Sequence, residues 1–152
     1  MGKRSNGTRG TNSSNSSRSR KFNGGGVEEY VDKIAFNLYG STKAVSVDNV
    51  FKNKYKKEVA EEVRNSVEYE SVFSKPKGDI ETVSVSRLHP TQQYLVSENL
   101  KNISKIEISE DNLPMGVLRN GKVYVVDGHH RIAADIIKGR RKVRIRLRKE
   151  GI

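Results

Sequence analysis

The segment 123–137 constrains the fold of this chain more than any other. It reads as an apolar strand, a glycine turn and a helix that opens with His129, His130 and Arg131. The first N–H groups of a helix lack intrahelical partners and lie at the positive end of its dipole, so they bind anions readily. Because Gly128 has no Cβ, the chain can turn sharply there and a ligand can approach the main chain. The segment predicts a phosphate-binding turn between a strand and a helix.

The same residues also have explanations that need no ligand. The pair Asp127-Gly128 is a common turn signal. Arg131 lies four residues from both Asp127 and Asp135, and such helical pairs contribute only about 0.2–0.5 kcal/mol. Two adjacent histidines on a helix point about 100° apart, so at most one of them easily faces a given ligand. Spacing alone therefore leaves an anion site and a purely structural turn as alternatives.

The run Asp-Gly-His-His-Arg-Ile-Ala-Ala at 127–134 resembles the signature of the ParB/sulfiredoxin superfamily. In that superfamily a Gly-x-His-Arg or Gly-Glu-Arg-Arg box begins a helix and binds nucleotide phosphates. Upstream, residues 83–92 resemble the first strand and its proline-bearing loop, and a helix at 97–106 follows. Residues 114–121 resemble the middle strands and their hairpin. The similarity covers about residues 80–149, which is less than half of the chain.

The resemblance implies a bound nucleotide, ATP or CTP, accompanied by Mg²⁺. The phosphate- or nucleotide-binding residues would be those of the box and of the proline-bearing loop, namely Gly128, His129, His130, Arg131, Pro90, Thr91 and Gln92. Candidate catalytic residues would be Asp127, His129, His130 and Arg131.

Departures from the superfamily pattern narrow the choice of relatives. Sulfiredoxins have a cysteine where this chain has His129, and the chain contains no cysteine, which excludes the reduction of sulfinic acids by a thiol. Partition ParB proteins have Glu-Arg at the positions of His129 and His130, and a helix-turn-helix domain follows. Here the sequence ends three residues after Lys149. We therefore expect a protein similar to the stand-alone members, which include a free-serine kinase and phage or plasmid proteins called ParB-like nucleases.

Two functions from different classes follow from this resemblance. The first is an enzyme, a nuclease, nucleoside triphosphatase or phosphotransferase, in which Arg131 and His130 neutralise charge in the transition state. Asp127 or a histidine would then handle a proton or a metal-bound water. The second is a non-catalytic DNA- or RNA-binding or structural protein of a phage or plasmid. The sequence offers no unambiguous general base, which weakens the first.

The net charge of +11 is concentrated at the two ends of the chain. The first 26 residues carry +6, and the residues from Lys138 onward carry +7. In the last strand Val143, Ile145 and Leu147 alternate with cations, so one face packs on the core and the other is basic. We predict nucleic-acid contact by the cations of this strand and the preceding turn, Arg140, Arg141, Lys142, Arg144, Arg146 and Arg148. The alternative is a solvated strand face that resists edge-to-edge aggregation.

Three segments differ in composition. Residues 1–26 are basic and rich in Ser, Asn and Gly, and we expect them to be disordered because they offer almost nothing to bury. Residues 27–73 predict a helical arm, with one helix ending at Gly40 and another beginning near Asp48. The arm would cover one face of a sheet or, alternatively, bind a partner or a second copy. Residues 80–149 predict an α/β (α+β) domain of ParB/sulfiredoxin type, a small mixed sheet with packed helices.

Composition also bears on compartment and cofactors. No apolar run approaches the roughly 20 residues that span a bilayer, and no signal peptide is visible, so we expect a cytoplasmic protein with no membrane partner. If the chain is phage-encoded, it could accompany the virion. We expect no dedicated metal site, because the two adjacent histidines lack the four-residue spacing that directs two imidazoles at one ion.

Overall fold

The computed structural model describes residues 24–69, 78–107 and 109–149. It confirms the predicted mixed α/β fold class, with helices packed on small sheets. The elements in chain order are α1 (Gly24–Ile34), β1 (Phe36–Tyr39), β2 (Thr42–Ser46), α2 (Lys57–Tyr69), β3 (Asp79–Ser84), β4 (Leu88–Pro90), β5 (Tyr94–Val96), α3 (Ser97–Ile103), β6 (Met115–Arg119), β7 (Lys122–Asp127), α4 (His129–Ile137) and β8 (Lys142–Lys149). The predicted disordered tail lies outside the described residues as far as residue 23, and so does the segment 70–77.

The main sheet has five strands in the order β3-β8-β6-β7-β4. β8 pairs antiparallel with β3 and parallel with β6, and β7 pairs antiparallel with β6 and parallel with β4. The predicted alternation along β8 is confirmed, since Val143, Ile145 and Leu147 are buried. β8 is an inner strand, however, so the alternative of a solvated basic face stands without its role against edge-to-edge aggregation, and Arg144 on that face is exposed. The pairing of β8 on both sides already protects it from edge-to-edge association.

Helices cover both faces of this sheet. On one face, Val123 and Val125 join a buried cluster with Ile132 and Ala133 of α4, and α1 and α3 pack beside that helix. Tyr124 lies between Val123 and Val125 on β7. Because successive side chains of a strand point to opposite faces, its side chain is on the other face of the sheet. The cross-strand partner of Tyr124 is the buried Val117, and α2 packs against β7 there. The sheet is thus the middle layer of three.

The segment 35–56 differs from the predicted helical arm. The first helix ends at Ile34, and β1 and β2 form a hairpin with Gly40 (φ +54°) in its turn. Residues of β2 pair with β5, and Ala44 and Val45 are fully buried there, so tertiary pairing overrides the helical spacing of the sequence. The second helix starts later than predicted, at Lys57, because a 3₁₀ turn and a loop come first. The two helices of the predicted arm at 27–73, α1 and α2, lie on either side of this segment.

The structure also bears on the predicted hairpin after β6 and on the predicted helix at 97–106. The hairpin between β6 and β7 turns at Asn120 (φ +52°) and Gly121 (φ +77°), as predicted, since positive φ at both positions suits a tight antiparallel turn. α3 is shorter than the predicted helix at 97–106 and ends at Ile103. Backbone turns continue the chain through Ile106, where the amide donates to the carbonyl of Ile103 at 3.2 Å.

Candidate functional site

The predicted strand–glycine–helix turn is present between β7 and α4. Gly128 has a left-handed backbone (φ 86°, ψ 25°), and a Cβ built on it would lie 2.7 Å from the Cβ of Pro114. The amide of Ile132 donates to the carbonyl of Gly128 at 3.0 Å, which starts the helix. The three amides before Ile132 donate to no residue within the described part of the chain. The turn therefore presents a row of N–H groups at the positive end of α4.

His129 fastens the proline-bearing loop to this turn. Its Nε2 accepts a hydrogen bond from the amide of Thr91 at 2.9 Å, and the Thr91 hydroxyl donates to the carbonyl of Val125 at 2.6 Å. Burial, and then the charges of Arg64 and His130, lower the pKa of His129 to about 3. The imidazole is therefore neutral at pH 7, with its proton on Nδ1. The loop and the box, which the resemblance paired, do meet in the structure.

His130 plays the same role for the next segment. Its Nε2 accepts a hydrogen bond from the amide of Val96 at 3.1 Å, just before α3. Burial lowers the pKa of His130, which favours the neutral ring. The sequence suggested that both histidines add cationic donors to the turn. The structure instead uses His129 and His130 as acceptors for backbone amides, because each is packed against a loop that needs a partner.

Arg131 lies in a different environment from the one predicted. The residue is 4% exposed, and its Nη1 donates to the carbonyls of Ile103 at 3.2 Å and Ile106 at 2.7 Å. These carbonyls follow the end of α3, where a cation offsets the negative end of the helix dipole. Asp135 pairs with Arg140 at 2.8 Å instead of with Arg131. Arg131 is thus committed to holding α3 in place.

Arg64 of α2 was missed by the sequence analysis and lies beside the turn. Its Nη1 donates to the hydroxyl of Thr91 at 3.0 Å and to the carbonyl of Val126 at 3.1 Å. In the sequence it reads as one more cation of a Lys- and Glu-rich helix. One signal could have found it: Arg64 follows Ala60 by four residues, and Ala60 is buried against the sheet.

Of the remaining predicted site residues, two are fixed by packing or a hydrogen bond, and one is exposed. Pro90 is buried, and the amide of the Gln92 side chain donates to the carbonyl of Tyr94 at 2.8 Å. Asp127 is exposed at the end of β7. Within residues 24–69, 78–107 and 109–149, no group of three His, Asp or Glu side chains is placed to hold a metal ion.

The predicted row of cations on β8 is partly neutralised by neighbouring elements. Arg144 pairs with the carboxylate of Glu110 at 3.1 Å, and Arg146 reaches the carbonyl of the same residue at 3.5 Å. Glu110 belongs to a 3₁₀ turn. The alternation of residues along β8 in the sequence gives no sign of this contact. Arg141, just before β8, and Lys142, its first residue, are exposed.

Comparison with protein-family models, with curated proteins and with solved structures found no match to this chain. In the part of the chain that the structure describes, no helix combines the length and the apolar character needed to cross a membrane. The interpretation of the turn between β7 and α4 therefore depends on its own geometry and on the resemblance of its sequence.

Proposed function

We propose that this protein binds a phosphate group of a nucleotide or nucleic acid at the turn between β7 and α4, as a member of the ParB/sulfiredoxin superfamily. One observation carries the proposal. The guanidinium of Arg64 is anchored to Thr91 and Val126, next to a helix whose first N–H groups are unpaired among the described residues. A cation and a helix N-terminus placed together favour an anion.

Arg64 has donors left for a ligand. Both of its hydrogen bonds to the protein come from Nη1, so Nη2 and Nε are available. An arginine held in place by two hydrogen bonds loses little additional freedom when it binds phosphate, and it binds such oxygens in a fixed fork. Gly128 lets Pro114 pack closely against the turn, and its left-handed backbone directs the chain into α4.

The geometry favours binding over catalysis. A general base needs a free lone pair and a pKa near the working pH. The Nε2 atoms of His129 and His130 already accept hydrogen bonds, and the pKa of His129 is about 3. Asp127 is exposed at the same turn and is the residue through which nuclease, triphosphatase or phosphotransferase activity is best tested.

The test is isothermal titration with ATP, CTP, ADP and a short DNA duplex. Arg64→Gln should weaken binding about tenfold or more, since a charge-assisted hydrogen bond is lost. Arg87→Gln removes the same charge from an exposed position away from the turn and serves as the matched control. Unchanged affinity of Arg64→Gln would place the ligand elsewhere. Nucleotide turnover or DNA cleavage that Asp127→Asn abolishes, with binding intact, would favour the enzymatic alternative.

A further inference from the structure

A second cationic pocket lies between α2 and the beginning of β7. A cavity of about 70 Å³ has Lys54, Lys56 and Lys122 at its rim, and His89 and Tyr124 among the residues of its floor. The pocket is separate from the α4 turn. None of residues 126–131 lines it: Lys122 lies four residues before Val126, roughly 13 Å along β7 at about 3.3 Å per residue, and the lining residue Tyr124 lies two residues before it.

Three parts of the chain build this pocket. Lys54 and Lys56 belong to the loop that leads into α2, and Lys122 follows the tight hairpin between β6 and β7. His89 and Tyr124 are directly opposed in the parallel register of β4 and β7. Their rings lie 5.3 Å apart at an angle of 40°. The sheet thus sets the aromatic part of the lining, and the exposed lysines complete it.

Within the described part of the chain, no carboxylate balances the positive charge of this pocket. None of the lining side chains is a carboxylate, and the three lysines form no ion pair with any described residue. Burial, and then the charges of Lys122 and Lys56, lower the pKa of His89, so the lysine potential reaches the floor. Arg144 and Arg146 of β8 differ, because both contact Glu110. Like charges gathered without a counter-charge repel one another, and a bound anion would relieve that repulsion.

We propose that this pocket binds a compact phosphate group, either inorganic phosphate or a terminal phosphate of a larger molecule. The cavity is several times larger than the roughly 10–15 Å³ that one water requires, which leaves room for a small tetrahedral anion. Lysine ammonium groups bind phosphate as point charges, and the Tyr124 hydroxyl and the His89 ring can add hydrogen bonds. A terminal phosphate carries about −1.5 to −2 at pH 7 and therefore offsets three lysines better than a carboxylate does.

The experiment titrates the whole protein with inorganic phosphate by calorimetry and by NMR of the His89 ring and the Tyr124 amide. Lys56→Gln/Lys122→Gln should weaken phosphate binding about tenfold or more, because two charge-assisted contacts are lost. Lys33→Gln/Lys43→Gln removes the same charge from exposed positions on α1 and β2 and is the matched control. All four lysines are exposed, so both variants should fold, which their melting temperatures check.

The source of the phosphate is identified with an oligonucleotide carrying a 5′-phosphate or a 5′-hydroxyl. Tighter binding of the phosphorylated strand, lost in Lys56→Gln/Lys122→Gln, supports a nucleic-acid end. Equal binding of both strands, with inorganic phosphate still lost in that variant, supports a free phosphate. The proposal is overturned if wild-type protein binds no inorganic phosphate, or if both lysine variants lose it equally. NMR shifts at the Gly128 turn alone also overturn it, while the proposed function survives. Arg64→Gln should leave the His89 and Tyr124 shifts intact.

Discussion

His129 shows how one side chain can serve the fold and shape the site together. Its ring joins the loop after β4 to the start of α4 through the amide of Thr91. A charged imidazolium could not accept that hydrogen bond, so the contact requires the neutral form. The native state therefore resists protonation of His129, and this resistance links the stability of the site to pH.

The free energy of unfolding should fall in acid because of His129. Its folded pKa of about 3 lies below the ordinary value of about 6.5, so its contribution is fully present above pH ~6.5 and is lost as pH falls toward 3. The loss is up to about 1.4 kcal/mol per pH unit. We expect urea unfolding at a series of pH values between about 3 and about 6.5 to show that the free energy of unfolding of His129→Gln depends less steeply on pH than that of the wild type. The difference in slope should correspond to about one proton. Parallel pH profiles for the two proteins would show that His129 titrates normally.

Arg131 should matter for stability more than for ligand affinity. Arg131→Gln leaves the carbonyls of Ile103 and Ile106 without their donor, and we expect a loss of about 2–4 kcal/mol in the free energy of unfolding. Arg141→Gln removes an exposed arginine and should stay within roughly 0.5 kcal/mol of wild type. Chemical denaturation of both variants measures the difference. Equal stabilities would mean that water replaces the guanidinium at the end of α3.

At the scale of elements, the sequence predicts what local chemistry determines. β8 follows from alternation, the turn at Asn120 from the pair Asn-Gly, which tolerates positive φ, and α4 from a glycine before an apolar helix. The hairpin of β1 and β2 does not follow, because the apolar residues Ala35 and Leu38 continue the helical spacing of α1. What makes them a strand is the pairing of β2 with β5, a contact across about fifty residues that no local pattern encodes.

The turn before α4 should be intolerant of a side chain. In Gly128→Ala both the left-handed backbone and the contact with Pro114 are unfavourable, and we expect a loss of about 2–4 kcal/mol in the free energy of unfolding. Gly121→Ala has a similar φ but no atom within 4 Å of the added Cβ, so only the backbone term of about 1–2 kcal/mol applies. Thermal and urea unfolding compare the pair. Similar losses in both variants would show that Pro114 moves aside.

At the scale of the whole molecule, the candidate site combines residues that are distant in sequence. The box at 127–131 was recognisable because its elements are local, and the loop at 90–92 was paired with it only through the resemblance. Arg64 enters from a helix on the opposite side of the sheet from α4, and its four-residue spacing from Ala60 is the one sign of this in the sequence. Likewise, Glu110 neutralises a strand more than thirty residues away. Such long-range pairs require the assembled fold.

The distribution of paired and unpaired cations predicts which of them contact DNA. Exposed Arg141 and Lys142 are free to neutralise phosphates, so changing both to Gln should make the log-log salt dependence of duplex binding shallower by about two units. Arg144→Gln/Arg146→Gln should change it less, because Glu110 already holds those residues. Fluorescence anisotropy over a series of NaCl concentrations measures both slopes. A larger effect from the second variant would assign the contact to the face of β8.

The inner position of β8 has a consequence for the order in which the protein is made. β3 and β6 are synthesised before β8, yet each finds a pairing partner in it. Until residues 142–149 leave the ribosome, the facing sides of β3 and β6 are open strand edges, which are prone to pair with other chains. The main sheet can therefore close only after translation has reached β8. A chain that ends just before residue 142 would leave the facing edges of β3 and β6 unpaired and should associate more readily than the whole protein.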